Sequence, residues 1–233
     1  MDKNNTKVAA KIIVANAEAK LSKIKNTKVP PTTEIKLDTK RKLTSGEINL
    51  CRKVFQDSID YSKVYVQMGG LIGVVTTLTG NAMTPAGNIN LPNDDYKNNK
   101  DFSKSRPMLQ HWFMHEMVHV WQFQLGANTA KFGAKQFICG GYTTEVKSVD
   151  SGEGELKAYD TDITARDNLK KFNEFNFEQQ ARIIEFYFDG MFLQNDEPNR
   201  KHHQKSLKLQ GHVMKILTDF LINPKDKKLL PKG

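Results

Sequence analysis

Two histidines stand four residues apart with a glutamate beside the first: His115-Glu116-Met117-Val118-His119. On a helix, positions i and i+4 share a face, so the two imidazoles can converge on one Zn²⁺. Glu116 is rotated by ~100° from His115, which sets its carboxylate beside an attacking water and off the metal. Zinc in such a site lowers the pKa of its water toward ~7 and polarises the scissile carbonyl, while the Glu takes the proton and passes it to the leaving amine. The plainer alternative is two ordinary histidines and a surface Glu. The context argues against it, because the helix spanning Met108–Leu125 is apolar nearly all round and a buried charge there is costly without a partner.

The third ligand is harder to read. His111 lies one turn before His115 on the same face, yet about two turns, ~12 Å, from His119, too far for all three to share an ion. Its spacing reads as a polar residue at the helix entrance. The chain continues Val120-Trp121-Gln122-Phe123-Gln124, without the third His of H-E-x-x-H-x-x-G-x-x-H. A carboxylate from a later helix should therefore complete the set, the Glu-zincin arrangement, and Glu155, Glu178 and Glu185 are the candidates. Glu178 opens a helix predicted over 177–188. Glu185 follows two turns along the same face and makes, with Asp189, an E-x-x-x-D of the thermolysin type. Spacing leaves Glu178 and Glu185 open.

The elements that must position these groups follow from periodicity and punctuation. An N-terminal helix is predicted over 6–26, stopped by Pro30-Pro31, with a linker to about 43. Thr44-Ser45-Gly46-Glu47 fits a capping box for a helix to about Asp57 that buries Ile48, Cys51, Val54 and Phe55. Val64, Val66 and Met68 alternate as in a strand, and Leu71–Thr79 is β-branched enough for another. A turn at Thr84-Pro85-Ala86-Gly87 leads to the short strand Asn88-Ile89-Asn90-Leu91, closed by Pro92. As the edge strand over a peptidase cleft, Asn88, Ile89 and Asn90 would pair with an extended peptide substrate. A polar loop is expected over 93–105, the stretch 127–152 has no clear period, and a last helix over about 204–223 carries Leu207, Val213, Ile216, Leu217 and Phe220. The order points to an α+β fold: a small sheet with an edge strand, packed on a buried active-site helix and followed by a helical C-terminal part.

The net charge of +9 is unevenly placed. Residues 1–50 hold 11 Lys+Arg against 5 Asp+Glu, residues 199–233 hold 9 against 2, and residues 51–198 hold 15 against 19. This divides the chain into a basic N-terminal helix and linker (1–42), a catalytic domain (43–198) and a basic C-terminal helix and tail (199–233). Basic ends attract polyanions such as cell-wall polymer, but only 6 of the 35 basic residues are Arg and no RNP, zinc-finger or Arg-stripe motif appears, which excludes specific nucleic-acid readout. No apolar run is long enough to span a membrane and no classical signal peptide opens the chain, so synthesis in the cytoplasm is expected. Cys51 and Cys139, 88 positions apart, read as two reduced core thiols.

Several blocks together resemble the bacterial Vgr-related (Rhs element Vgr-like) zinc metallopeptidases. They are Leu43-Thr44-Ser45-Gly46-Glu47-Ile48, the run Val54–Val64, Thr84-Pro85-Ala86-Gly87-Asn88-Ile89, Phe113-Met114-His115-Glu116-Met117-Val118-His119-Val120-Trp121-Gln122, and Phe177-Glu178-Gln179-Gln180-Ala181. The blocks keep the family's order over about 43–190, and the H-E-M-x-H-V-W-Q and E-Q-Q-A blocks are the specific ones. The resemblance implies a zincin-like fold and a zinc metallopeptidase with Glu178 as third ligand. It also implies a role for the Tyr159-Asp160 pair, with the Tyr159 hydroxyl donating to the tetrahedral oxyanion. Its partners would be a peptide or protein substrate, a secretion apparatus and an immunity protein. The family name implies delivery into target cells by a contractile, type VI-like system. Two other readings compete: a cell-wall peptide hydrolase toxin, suited by the basic ends, and a catalytically idle zincin-fold binding or assembly module, against which the intact Glu116 argues.

Overall fold

A computed structural model describes residues 39–68, 76, 80–147, 150, 154–193 and 201–232. The helix predicted over 6–26 lies outside them, and so does the strand predicted over 71–79, except for Thr76, which is helical.

The first strand, β1 (Thr39–Lys42), occupies the end of the expected linker. Its charged sequence carries no apolar alternation, and what holds it extended is nonlocal. It pairs antiparallel with β2 (Tyr65–Met68), with Arg41 opposite Val66. Arg41 also clamps both oxygens of the fully buried Glu47 at 2.8 Å. Glu47 belongs to α1 (Ser45–Phe55), whose capping box is formed as predicted: Thr44 Oγ1 accepts from Glu47 N, and Glu47 accepts from Thr44 N. Phe102 N donates to the same carboxylate at 2.9 Å, so this buried charge is answered from four directions. Cys51, Val54 and Phe55 are buried as expected, whereas Ile48 is only partly so. Of the cysteines, Cys51 sits in the core but Cys139 is exposed; both are free.

Strand β3 (Ile89–Asn90) pairs parallel with β2, giving a three-stranded sheet in the order β1-β2-β3. The expected polar loop is instead α2 (Asn93–Asn98) followed by a 3₁₀ turn at Phe102–Lys104. Pro92 starts the helix, Asp94 and Asp95 favour its N-terminus, and buried Tyr96 and Phe102 anchor the segment. Next come the long buried helix α3 (Pro107–Gln124), α4 (Thr129–Ile138), and the antiparallel pair β4 (Glu145–Lys147) and β5 (Gly154–Leu156).

Helix α5 (Phe177–Phe192) opens with a reciprocal Asn176–Gln179 cap. The single C-terminal helix predicted near 204–223 is two, α6 (Lys201–Ile216) and α7 (Thr218–Ile222). Leu207 is exposed, while Val213, Ile216, Leu217 and Phe220 enter the same core as α1, α3 and α5. Phe220 lies edge-on to Phe55 and Trp121, and Trp121 Nε1 donates to Pro224 O at 2.7 Å. The architecture is thus mixed α and β, with a small sheet against several helices. No helix among the described residues is long and apolar enough to cross a membrane.

Candidate metal centre

Helices α3 and α5 pack face to face, and their sequence numbers run in opposite senses along the contact: His119 meets Glu178, whereas His115 meets both Glu178 and Glu185. One turn of α3 brings His115 Nε2 to 3.1 Å from His119 Nε2. Glu178 Oε2 lies 3.0 Å from the first nitrogen and 3.2 Å from the second. Ligands of a four-coordinate zinc with ~2.0–2.1 Å bonds sit ~3.3 Å apart. Two imidazole nitrogens and one carboxylate oxygen, all buried, therefore match such an ion in chemistry and in spacing to a few tenths of an ångström.

Each histidine is held from behind in the tautomer that leaves Nε2 bare. His115 Nδ1 donates to Glu185 Oε1 at 3.0 Å. His119 Nδ1 donates to Gln122 Oε1 at 2.9 Å. The Gln122 amide is fixed because its nitrogen donates to Phe177 O and to Gln180 Oε1. Gln180 is fixed in turn because its own nitrogen donates to Phe172 O and Leu229 O. A chain of amides ending on backbone carbonyls thus sets the orientation of His119.

The electrostatics call for a cation between these groups. Burial alone would lower the proton affinity of His115, but Glu185 and Glu178 outweigh it and push its pKa well above the ordinary value. At His119 burial again opposes, and Glu178 turns the balance upward. Burial would raise the Glu178 pKa, yet His119 and His115 carry it far below the usual carboxylate range. A proton or a metal ion satisfies the same demand.

No protein-family model matches the chain. A Pseudomonas aeruginosa protein described as type VI secretion system spike protein VgrG2b is 33% identical over 158 residues, covering 64% of this chain and 13% of that protein. The chain thus spans about an eighth of the spike protein's length. The solved effector domain of P. aeruginosa VgrG2b superposes with a TM-score of 0.51 at 28% identity, over 87% of this chain and 97% of that one. The chain is a homologue of the VgrG2b effector domain.

In this homologue, Glu116 is 5% exposed and its Oε2 accepts from Thr84 Oγ1 at 2.6 Å. Thr84 heads the turn predicted from Thr84-Pro85-Ala86-Gly87. Gly87 has φ +74°, and a Cβ there would lie 2.5 Å from the Phe123 ring, so the turn seats tightly against α3 and presents the hydroxyl to Glu116. The sequence pattern marks Thr84 only as a turn residue. It misses Tyr142 entirely, whose hydroxyl donates to Glu178 Oε1 at 2.5 Å from the stretch without a clear period. A lone aromatic after Gly140-Gly141 was the available signal.

Tyr159 stands beside the site, its ring 5.7 Å from that of His115 and 6.1 Å from that of Tyr142. Burial, with Glu178, Glu116 and Glu185 adding to it, pushes its pKa well above normal, so it is a neutral donor. Asp160 turns away and pairs with Arg166 at 2.9 Å. Glu155 lies in β5, and its side chain is outside the described part. Glu185, the other candidate third ligand, stands behind His115 and not beside the two Nε2 atoms.

The expected substrate edge differs. Asn90 N and O are both bonded to Met83, at 2.9 and 3.0 Å, and Ile89 is fully buried. Asn88 Oδ1 accepts from Tyr65 N and Asn90 Nδ2 donates to Met83 O. The β3 ladder groups at Asn90 are therefore already paired, and no extended peptide can add there without displacing Met83. His111, expected as a polar residue at the helix entrance, lies in the first turns of α3 with its side chain 12% exposed and its Nε2 3.2 Å from Glu185 Oε1.

Proposed function

We propose that the chain is a zinc metallopeptidase, zincin-like in fold, acting as an effector of a contractile, type VI-like secretion system. The observation that carries the chemistry is the convergence of His115 Nε2, His119 Nε2 and Glu178 Oε2 beside a buried, hydrogen-bonded Glu116. The effector context rests on the homology to the VgrG2b effector domain.

Zinc held by His115, His119 and Glu178 would supply Lewis acidity to the scissile carbonyl and acidity to a water. Glu116, the residue after the first ligand, takes the proton of the attacking water and delivers it to the leaving amine. Thr84 engages Oε2 of that carboxylate, so Oε1 is the oxygen without this bond and would serve as the base. Tyr142 holds the second oxygen of Glu178, so that carboxylate presents Oε2 alone to the metal position. The neutral Tyr159 phenol is the available donor to the developing oxyanion.

The test combines metal analysis of the full chain with digestion of a peptide library that includes cell-wall peptides. One zinc at this centre and cleavage by the wild type, abolished in Glu116→Gln, are expected. A protein that takes up no zinc at His115, His119 and Glu178 overturns the reading. Cleavage confined to wall peptides would identify the substrate as cell wall, and zinc without cleavage of any peptide would favour the binding-module alternative.

A further inference from the structure

The ladder of acidic and imidazole groups continues past the centre just described. His111 of α3, Asp189 of α5 and His202 of α6 each offer one ligand atom, all within 4.8 Å of one another. None of them belongs to the first triad.

We propose that His111, Asp189 and His202 form a second transition-metal site, of the zinc class, that clasps α6 to α3 and α5. Two orphaned nitrogens point to it. His111 Nε2 faces Glu185 Oε1 at 3.2 Å, so that nitrogen carries the proton and Nδ1 is left with a bare lone pair. His111 Nδ1 is buried without a hydrogen-bond partner, and so is His202 Nε2. Both face one atom, Asp189 Oδ2, at 4.0 and 3.6 Å respectively. These separations are too long for hydrogen bonds, so a proton on either nitrogen does not connect it to the carboxylate. A cation among the three satisfies all of them.

Spacing favours a metal ion over a water. Groups arranged tetrahedrally around a water at ~2.8 Å lie ~4.6 Å apart. Zinc ligands at ~2.0–2.1 Å lie ~3.3 Å apart, or ~3.6 Å in a flatter arrangement. The observed 3.6 Å equals the flatter metal value and 4.0 Å lies about 0.4 Å above it and about 0.6 Å below the water value, so a small inward swing of the His111 imidazole brings the set to metal spacing. The carboxylate is already aimed. Ser206 Oγ donates to Asp189 Oδ2 at 3.1 Å and His203 Nδ1 lies 3.1 Å from Oδ1, both from α6. The His202 ring is buttressed too, stacked on Phe186 at 5.4 Å and edge-on to His111 at 4.2 Å. Two imidazoles with one carboxylate select zinc or a neighbouring transition metal over calcium or magnesium, which prefer oxygen. With one ligand from each of three helices, the ion's role is structural, and the fourth position is left to water.

The experiment is a Zn²⁺ titration of the metal-free full chain, read as metal per chain, repeated with Co²⁺ to follow the visible absorption of each site. Wild type should take two equivalents. His119→Ala should keep one, and His202→Ala should keep one with turnover on a short peptide unchanged within a few-fold. Asp189→Asn, equal in shape, should also lose one equivalent, which covers the case of a misfolded His202→Ala. The Co²⁺ titration of wild type should show two spectroscopic phases and needs no variant. A wild type that saturates at one equivalent, together with a His119→Ala protein that binds none, overturns the proposal. If His119→Ala and wild type both bind one ion and His202→Ala binds none, the second site stands and the peptidase reading fails.

Discussion

Two clusters share the same pair of helices one turn apart, and they are finished differently. At His115, His119 and Glu178, every outward nitrogen has a named acceptor behind it: Glu185 for His115, and Gln122 backed by Gln180 for His119. At His111, Asp189 and His202, the support sits behind the carboxylate, through Ser206 and His203, and two nitrogens are left bare. Glu185 joins the clusters, since its Oε1 faces both His115 Nδ1 and His111 Nε2. Helical periodicity explains the layout. Residues 111, 115 and 119 recur every turn of α3, and 178, 185 and 189 recur at seven and four along α5, so antiparallel packing interleaves imidazoles and carboxylates. The first cluster has in addition Glu116, next to His115 on α3 and held by Thr84, whereas the further carboxylate at the second cluster, Glu185, faces His111 Nε2. On the readings proposed above, the first cluster would carry chemistry and the second would fasten helices.

The largest expected effect belongs to that difference. Glu116→Gln should lower turnover by ~10²–10⁴-fold while zinc per chain and folding stay unchanged, because a base is lost and no ligand is touched. Loss of zinc in this variant would make Glu116 a ligand and remove the distinction between the clusters.

Metal removal comes next. An ion present at 100 times its dissociation constant stabilises the folded state by ~2.7 kcal/mol per site. At ~2–4 °C per kcal/mol for a chain of this size, stripping each site should lower Tm by roughly 5–10 °C. Chelation should lower the melting temperature of wild type about twice as far as that of His202→Ala. Equal falls would mean that the second cluster holds no ion.

Glu185→Gln should register at both clusters at once. It replaces the carboxylate behind His115 and His111 with a neutral amide, and such supporting groups change metal affinity by ~10–100-fold. Glu178→Ala should weaken zinc binding at the first centre much further. A Glu185→Gln protein with unaltered zinc affinity would show that the two clusters are independent.

What the sequence disclosed and concealed follows the range of the interactions. His115, Glu116 and His119 were legible because one helix turn brings them together, and the Thr44–Glu47 cap was legible because it spans three residues. Glu178 needed the family resemblance, since two turns of the same face offered Glu178 and Glu185 equally, and only the packing of α3 on α5 sets Glu178 beside the two Nε2 atoms and Glu185 behind His115. Thr84 and Tyr142 were concealed because they reach Glu116 and Glu178 across 32 and 36 positions. His111 lies apart from His115, His119 and Glu178 as its spacing implied, but its own partners lie on two other helices, and no spacing rule announces them. β1 was concealed by its charges, because Arg41 makes it a strand through Glu47 and not through any apolar face.

The smallest effect, and the sharpest probe of how the first cluster is tuned, concerns Thr84. Its hydroxyl gives Glu116 Oε2 a 2.6 Å hydrogen bond between two groups only 6% and 5% exposed. Thr84→Val keeps the shape of the side chain and removes only the donor. A hydrogen bond to a charged group contributes about 1.5–3 kcal/mol, but the freed carboxylate can turn toward water, so part of that is recovered. We expect kcat to fall about tenfold, equivalent to ~1.4 kcal/mol, with KM and zinc content unchanged. Thr84→Ser, which restores the hydroxyl, should recover most of the loss. Steady-state kinetics on one short peptide checks all three proteins. If valine and serine behave alike, Thr84 acts only by shaping the turn at Gly87, and the first cluster owes its base to burial alone. If valine loses rate and serine regains it, the hydroxyl positions the base, a device for which the second cluster has no counterpart among the described residues.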